Sequence, residues 1–304
     1  MVRRATAEDR MPHTPPSRHR PRKRFAQHFL EPAWAAKLVT ALDPQPGDAF
    51  LEIGPGTGAL TRPLAETGAP VVAIEIDRDL VAHLADQLPP NVTVVAGDFL
   101  EVDVLPILFG LLPQRPAIGQ AAGAGPGAWR LRVVGNLPYN VTSPILFRLL
   151  ALQKESAAFT DASLMMQREV ADRVLARPGT KDYGVLSILV PIEAEVSRLL
   201  ALPPGAFRPV PRVRSAVVGL RFRPAEVPIA DPALFEALVR RLFMRRRKTV
   251  LNALRPFAAE LGASPEAGLA IAGVNPTRRP ETLQLTELSR LVAFFASARR
   301  RPML

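Results

Sequence analysis

Short apolar runs alternate along this chain with longer segments of helical pattern. The runs end at Ile53, Ile74, Val95, Gly135 and Met166, and glycine or an acidic residue follows each of the first three within two positions. Runs of this length, rich in β-branched residues, predict buried strands. The helical segments between them predict the crossovers of a parallel sheet. The alternation therefore predicts an α/β fold, with a further strand over residues 216–222 closing the sheet as its antiparallel member.

A glycine-rich loop, Gly54-Pro55-Gly56-Thr57-Gly58, follows the first of these strands and opens a predicted helix. Glycine lets the backbone approach a ligand closely, and a helix N-terminus offers free N–H groups. Glu75 ends the next strand, 21 residues (75 − 54) beyond Gly54. An acidic side chain at this distance binds ribose hydroxyls in nucleotide-binding βαβ units. Asp98 follows the third strand and is a candidate acceptor for an adenine amino group.

Taken alone, the glycine pattern fits two classes of enzyme. Gly54-x-Gly56-x-x-Ala59 satisfies the dinucleotide fingerprint with its permitted final alanine, so a nicotinamide-dependent dehydrogenase is a rival interpretation. Glu52 before the first glycine and Pro55 within the loop both count against a dehydrogenase. So does the motif that follows the fourth strand.

That motif is Asn136-Leu137-Pro138-Tyr139. It brings an amide, backbone carbonyls beside a proline, and an aromatic ring to the end of a buried strand. The amide oxygen and a carbonyl suit the two N–H bonds of an exocyclic amine, and the tyrosine ring suits stacking on a flat base. A plain turn is the alternative, because Asn and Pro are both common in turns.

These motifs together resemble those of class I S-adenosylmethionine-dependent N6-adenine methyltransferases. Further segments narrow the resemblance to the rRNA adenine dimethyltransferase family, which includes the kasugamycin-susceptibility methylases and their Dim1 relatives. The segments that resemble this family occur in its order over most of the chain; they are residues 24–30, 136–144, 166–170, 181–187, 204–211, 215–218 and 246–254.

The resemblance implies a Rossmann-like class I methyltransferase domain with a seven-stranded, mostly parallel sheet, followed by a smaller all-α C-terminal domain. It implies S-adenosyl-L-methionine as the cofactor. The implied reaction is N6 dimethylation of two adjacent adenosines in the 3′-terminal hairpin loop of small-subunit (16S) rRNA, as part of ribosome biogenesis.

The resemblance also implies roles for individual residues. The cofactor-binding set is His28, Leu30, Gly54, Gly56, Glu75, Asp98 and Asn136. The catalytic set is Asn136, Leu137, Pro138, Tyr139 and Phe207. In this set Asn136 and a neighbouring carbonyl accept hydrogen bonds from the target N6, while Tyr139 and Phe207 sandwich the flipped base. Phe207 lies between prolines in a segment that reads as an exposed loop, which favours stacking over a place in the core.

The chain departs from the family pattern in three places. Arg214 stands where the family usually has Asp, and residues 113–127 form an insertion rich in Gly, Ala and Pro. Residues 1–21 have no recognised counterpart. None of these departures removes a residue that is assigned to the chemistry.

The order of motifs predicts three regions. Residues 1–24 are basic and proline-rich, and are predicted to form a disordered arm that either touches RNA or is an inert tail. Residues 25–223 form the predicted methyltransferase domain. Residues 232–304 are predicted to be helical and RNA-binding, with Asp231 as the N-cap of their first helix and Pro232 at its first position.

Charge and composition agree with an RNA partner. The net charge is +11, and the cluster Arg245, Arg246, Arg247 and Lys248 predicts a phosphate-binding surface. The chain has no cysteine and only four scattered histidines, so no metal site is predicted. No apolar run is long enough to predict a membrane span. We expect a cytoplasmic monomer that acts on the small ribosomal subunit.

Two further alternatives stay open from the sequence. Large-subunit rRNA methylases of the erythromycin-resistance type share the first domain, although the Arg-Arg-Lys-Thr element at 246–249 favours the small-subunit branch. A non-catalytic ribosome-assembly factor is the other alternative. The complete set of motif residues argues against a loss of chemistry.

Overall fold

The computed structural model describes residues 28–111 and 129–299. The basic arm and the insertion over 113–127 lie outside these ranges. The strands are β1 (Phe29–Leu30), β2 (Asp48–Ile53), β3 (Val71–Glu75), β4 (Val92–Ala96), β5 (Arg130–Asn136), β6 (Phe159–Gln167), β7 (Ala194–Leu202), β8 (Phe207–Arg208) and β9 (Ser215–Phe222). The helices are α1 (Pro32–Leu42), α2 (Thr61–Glu66), α3 (Arg78–Ala85), α4 (Val104–Leu111), α5 (Thr142–Ser156), α6 (Arg168–Val174), α7 (Val185–Glu193), α8 (Pro232–Met244), α9 (Val250–Glu260), α10 (Pro265–Ala272) and α11 (Leu285–Arg299).

A seven-stranded sheet organises the molecule, in the order β4-β3-β2-β5-β6-β9-β7. The pairs from β4 to β6 are parallel, while β9 runs antiparallel to both of its neighbours. The predicted Rossmann-like fold with a mostly parallel sheet is confirmed, as is the antiparallel direction of residues 216–222. That strand is not the edge of the sheet, however, because β7 pairs with its outer side.

Alternating side chains of the strands build two cores, one on each face of the sheet. Ala49 and Leu51 of β2 enter one core, and Phe50 between them enters the other. Successive side chains of a strand point to opposite faces, so a strand covered on both sides must be apolar throughout. This is why the strand segments appear in the sequence as short, mostly apolar runs.

A two-stranded ribbon lies outside the large sheet. In it β1 pairs antiparallel with β8, and Leu30 lies opposite Phe207. The ribbon joins the start of the described chain to the segment just before β9, a pairing that no local pattern in the sequence predicts.

Four helices after β9 share a third core. Asp231 caps α8 by accepting a hydrogen bond from the Leu234 N–H at 2.9 Å, as predicted. This core also takes in Ile188 and Leu189 of α7, which precede the predicted domain boundary. The division of the chain into domains therefore stays a prediction. No helix within the described ranges is both long and apolar enough to cross a membrane.

Candidate active site

A cavity of about 310 Å³ opens at the carboxyl ends of β2, β3 and β5. This edge of a parallel sheet is where α/β proteins bind their ligands. The cavity brings together ten of the predicted site residues: His28, Leu30, Gly54, Gly56, Glu75, Asp98, Asn136, Leu137, Pro138 and Tyr139. Phe207 and the cluster 245–248 are not part of its lining.

The glycine loop forms one wall of the cavity in a backbone conformation that favours glycine. Gly54 has φ +71° and Gly56 has φ +59°. A Cβ atom at position 56 would lie only 2.9 Å from the Phe29 ring. The Gly56 N–H also donates to Glu75 Oε2 at 3.0 Å, which joins the loop to the end of β3. Glycine is thus required here both for the turn and for the close packing.

Two buried carboxylates lie beneath this loop. Burial raises the pKa of Glu52 to about 7; the nearby Thr61 side chain opposes the shift and the nearby Glu75 carboxylate adds to it. Glu52 Oε2 has no hydrogen-bond partner within the described residues. Burial also raises the pKa of Glu75. A ligand that carries positive charge would relieve the repulsion and the lost hydration of these groups.

Glu75 and Asp98 keep acceptor capacity for a ligand. Glu75 Oε1 accepts from the Asp77 N–H at 2.9 Å, and Asp98 Oδ1 accepts from the Leu100 N–H at 2.9 Å. Each carboxylate oxygen has two lone pairs, so these backbone bonds orient the carboxylates without saturating them. Their positions suit the hydroxyl and amino donors of a nucleoside.

Asn136 is held with its amide oxygen available. Its Nδ2 donates to the His28 carbonyl at 2.6 Å, so Oδ1 is left as an acceptor. The Pro138 carbonyl already accepts from the Val141 N–H and the Thr142 hydroxyl. The Leu137 carbonyl has no such donor within the described residues. The sequence does not decide whether the Leu137 or the Pro138 carbonyl acts together with Asn136 Oδ1. The structure favours the Leu137 carbonyl, because within the described ranges it is the one left without a donor.

Tyr139 is fixed at both its ring and its hydroxyl. The hydroxyl shares a 2.8 Å hydrogen bond with Ser215 Oγ, and burial raises its pKa. The His28 ring stacks on the tyrosine with centroids 5.5 Å apart and planes at 22°. His28 is oriented by its Nδ1–H, which donates to the Pro209 carbonyl at 2.7 Å. The ring is thereby held at the mouth of the cavity.

The position of Phe207 differs from the sequence prediction. Its side chain is fully buried and belongs to the core that contains Leu30 and Val217. The prediction of an exposed loop position is wrong, because the pairing of β8 with β1 turns the ring inward. In this conformation the ring is not available to stack on a base.

The predicted RNA-binding cluster lies after α8, away from the cavity. Arg245, Arg247 and Lys248 are exposed, and no ion pair joins them to other described residues. Arg246 instead donates to the Lys181 carbonyl at 2.9 Å. The cluster therefore offers three side chains to a polyanion and uses the fourth to join the segment before α7.

Ile76 is a lining residue that the sequence analysis did not single out. It directly follows Glu75 and is 44% exposed, which is unusual for a side chain of its size. An apolar side chain next to a ribose-binding carboxylate suits a flat heterocycle. Its position immediately after the acidic residue is the signal that identifies it.

A family model described as ribosomal RNA adenine dimethylase matches residues 18–287. The chain belongs to this family. It is 44% identical over 273 residues to the ribosomal RNA small subunit methyltransferase A of Anaeromyxobacter sp. (strain K), covering 90% of this chain and 92% of the relative. Identity to the protein of that name from Aromatoleum aromaticum (strain DSM 19018 / LMG 30748 / EbN1) is 40% over 284 residues, with 92% and 96% covered.

Solved structures of related enzymes share the fold. A dimethyladenosine transferase from Plasmodium falciparum superposes with a TM-score of 0.65 at 25% identity, covering 89% of this chain and 98% of that one. The 23S rRNA methyltransferase ErmE gives a TM-score of 0.57 at 26% identity, with 88% and 99% covered. The chain is therefore a methyltransferase that uses S-adenosylmethionine, and the cavity suits this cofactor. The glycine loop allows close approach, and the buried carboxylates Glu52 and Glu75 suit a ligand that carries a sulfonium.

Proposed function

We propose that this protein dimethylates N6 of two adjacent adenosines in the 3′-terminal hairpin loop of small-subunit rRNA. One observation carries the proposal: the Asn136–Tyr139 motif lies at the mouth of the cavity with its acceptors oriented. The identities of 40–44% to small-subunit methyltransferases favour that substrate over the large subunit, because identity to ErmE is 26%. Retention of Glu52, Gly54, Glu75, Asp98 and Asn136 favours an active enzyme over a non-catalytic assembly factor.

The cofactor sites follow from the lining of the cavity. Glu75 would hold the ribose hydroxyls, Asp98 the adenine amino group, and Ile76 the adenine ring. Gly54 and Gly56 would lie along the methionine end, covered by His28 and Leu30. When bound, S-adenosylmethionine supplies a methyl group on a sulfonium, which makes the methyl electrophilic.

The protein's task is to orient the target amine. Asn136 Oδ1 and the Leu137 carbonyl accept hydrogen bonds from the two N6–H groups. These bonds favour a pyramidal nitrogen, whose lone pair is no longer delocalised into the ring and points at the methyl group. With the cofactor bound, a C–N bond would form as the C–S bond of the sulfonium broke, and the nitrogen would then release one proton to water. Alignment of this kind is worth about 7–11 kcal/mol in favourable cases. The Tyr139 ring stacks on the flipped base after the His28 ring has moved off the tyrosine face that it covers.

RNA binding would use surfaces beyond the cavity. Arg245, Arg247 and Lys248 would contact phosphates, with Arg246 positioning their segment against Lys181. Residues 232–304 would form the RNA-binding domain. A monomer acting on small ribosomal subunits in the cytoplasm is the state that best fits this role.

A labelling experiment tests the proposal. The purified protein is incubated with radiolabelled S-adenosylmethionine and unmethylated small or large ribosomal subunits, and the labelled nucleotides are mapped. We expect N6,N6-dimethyladenosine at two adjacent positions of the small-subunit 3′-terminal hairpin. Label confined to the large subunit would contradict the assignment, as would cofactor binding without label on either subunit.

A further inference from the structure

The segment between β8 and β9, residues 209–214, forms an exposed loop beside the active site. It carries Arg212 and Arg214 together with Val210 and Val213, and all four side chains are exposed. The two valines are 54% and 42% exposed, which places them among the most exposed large apolar side chains of the described ranges. The loop is therefore both cationic and apolar.

The loop is joined directly to the residues that hold the target base. The Pro209 carbonyl accepts from His28 Nδ1–H at 2.7 Å, and Ser215, the residue after the loop, bonds the Tyr139 hydroxyl at 2.8 Å. The Arg214 carbonyl accepts from the Arg168 N–H at 2.9 Å. Pro209 and Pro211 further restrict the backbone, since proline fixes φ. A ligand lying on the loop would thus lie next to Tyr139.

The charges on the loop are free for a polyanion. Neither Arg212 nor Arg214 has an ion pair or a side-chain hydrogen bond to any residue in 28–111 or 129–299. Their neighbour Arg208 is instead paired with Glu31 at 3.2 Å.

We propose that the loop 209–214 is a second RNA-contact surface that binds the nucleotides flanking the target adenosine. Arg212 and Arg214 contact their phosphates, and Val210 and Val213 pack against their sugars and unstacked bases. Single-stranded RNA has this combination of charge and exposed apolar faces, and a flipped base leaves its neighbours unstacked beside the pocket. The inference rests on the proposed RNA methylation. It adds the contact that positions the RNA strand of the hairpin over Tyr139.

The decisive test compares two double variants of the full chain. R212A/R214A removes the two loop cations, and R221A/K154A removes two cations from the opposite end of the sheet. Arg221 lies opposite Asp161, near the start of β6, and Lys154 lies in the last turn of α5. Both are exposed and make only surface ion pairs, so the control matches the change in charge.

Unmethylated small ribosomal subunits are the substrate in this test. We expect R212A/R214A to raise the KM for subunits several-fold while leaving the KM for S-adenosylmethionine unchanged. The slope of log affinity against log salt should become shallower by about 1.4, because each phosphate contact to a single strand contributes about 0.7. The control should match the wild-type protein, and R214K should retain most of the subunit affinity that R214D loses.

The apolar part of the loop is tested separately. V210S/V213S should raise the KM for subunits without changing the salt slope, because it leaves the charges in place. Equal KM values and salt slopes for R212A/R214A and its control would overturn the inference, even though the wild-type protein methylated the subunits. Failure of the wild-type protein to label any small subunit would instead contradict the proposed function.

Discussion

At the scale of single residues, Asn136 is the side chain on which transfer depends most directly. We expect Asn136→Ala to lower kcat by roughly 10²–10³-fold, the range seen when one positioned hydrogen-bonding group is lost from an active site. Glu75, Asp98 and the glycine loop stay in place in this variant, so binding of S-adenosylmethionine should fall much less than transfer. Single-turnover transfer and calorimetric cofactor titration separate the two effects. An equal loss in the rate of transfer and in the affinity for S-adenosylmethionine would contradict the role assigned to Asn136.

Glu52 predicts a pH dependence of the cofactor-free protein. Its folded-state pKa of about 7 exceeds the ordinary value of 4.5, so the contribution of this group to stability is complete below pH 4.5 and is lost as pH rises through 7. Glu52→Gln stays neutral at every pH. At pH 8 we expect its unfolding free energy to exceed that of the wild-type protein by about 1–3 kcal/mol, which raises its unfolding temperature.

The control for this prediction is Glu66→Gln on an exposed position of α2. Thermal unfolding of both variants and the wild-type protein is measured at pH 5 and pH 8 without cofactor. The stabilisation by Glu52→Gln should be larger at pH 8, and the variant should bind S-adenosylmethionine more weakly. A stabilisation that does not vary with pH would show that the Glu52 carboxylate is not strained by burial.

At the scale of elements, the turn between β2 and α2 needs glycine at position 56 for two reasons, its positive φ and its close contact with Phe29. Gly56 and Gly68 both have positive φ, but only at Gly56 would a Cβ meet another side chain, the Phe29 ring. We expect Gly68→Ala to cost about 1–2 kcal/mol for the left-handed backbone alone. Gly56→Ala should cost about 1–3 kcal/mol more, because the Phe29 ring must move.

Urea unfolding measures both costs, and cofactor titration adds a second readout. Gly56→Ala should weaken S-adenosylmethionine binding since Gly56 lines the cavity, whereas Gly68→Ala should not. Equal costs for the two variants would mean that the Phe29 contact is readily relieved.

Elements differ in how well the sequence predicts them. The runs for β2 to β6 are recognisable because each is short and mostly apolar, including β4, whose side chains are half-buried or exposed. β7 gave no such signal, since most of its side chains are exposed or half-buried at the sheet edge. The sequence pattern predicts a helix from Arg168 to Ala176, whereas α6 ends at Val174. Helix ends depend on caps and tertiary contacts more than on the periodic pattern.

At the scale of the whole molecule, Tyr183 connects the helical core to the rest of the chain. It is 3% exposed, and its hydroxyl donates to the Leu283 carbonyl at 2.9 Å. Tyr183→Phe leaves that buried carbonyl without its donor and should lower the unfolding free energy by about 1–3 kcal/mol. Because α7 contributes Ile188 to the helical core and Val190 to a core of the sheet, we expect the sheet region to share the loss.

Two probes test this prediction. Both tryptophans, Trp34 and Trp129, lie in the sheet region, so their fluorescence reports its unfolding, while circular dichroism follows all the helices. The two midpoints should coincide in the wild-type protein and shift together in Tyr183→Phe. A shift seen only by circular dichroism would mean that the helical region unfolds separately.

The sequence by itself determined the fold class and ten of the residues that line the site. Strand and helix periods, the glycine loop and the Asn136–Tyr139 motif are local patterns, so they can be read from neighbouring residues. Only the tertiary structure decided which carbonyl remains free, where Phe207 lies and what orients Asn136. Those outcomes depend on partners far apart in the chain: His28 lies 108 residues from Asn136 and 181 from Pro209. Burial and hydrogen-bond occupancy arise from such distant contacts, and no local pattern encodes them.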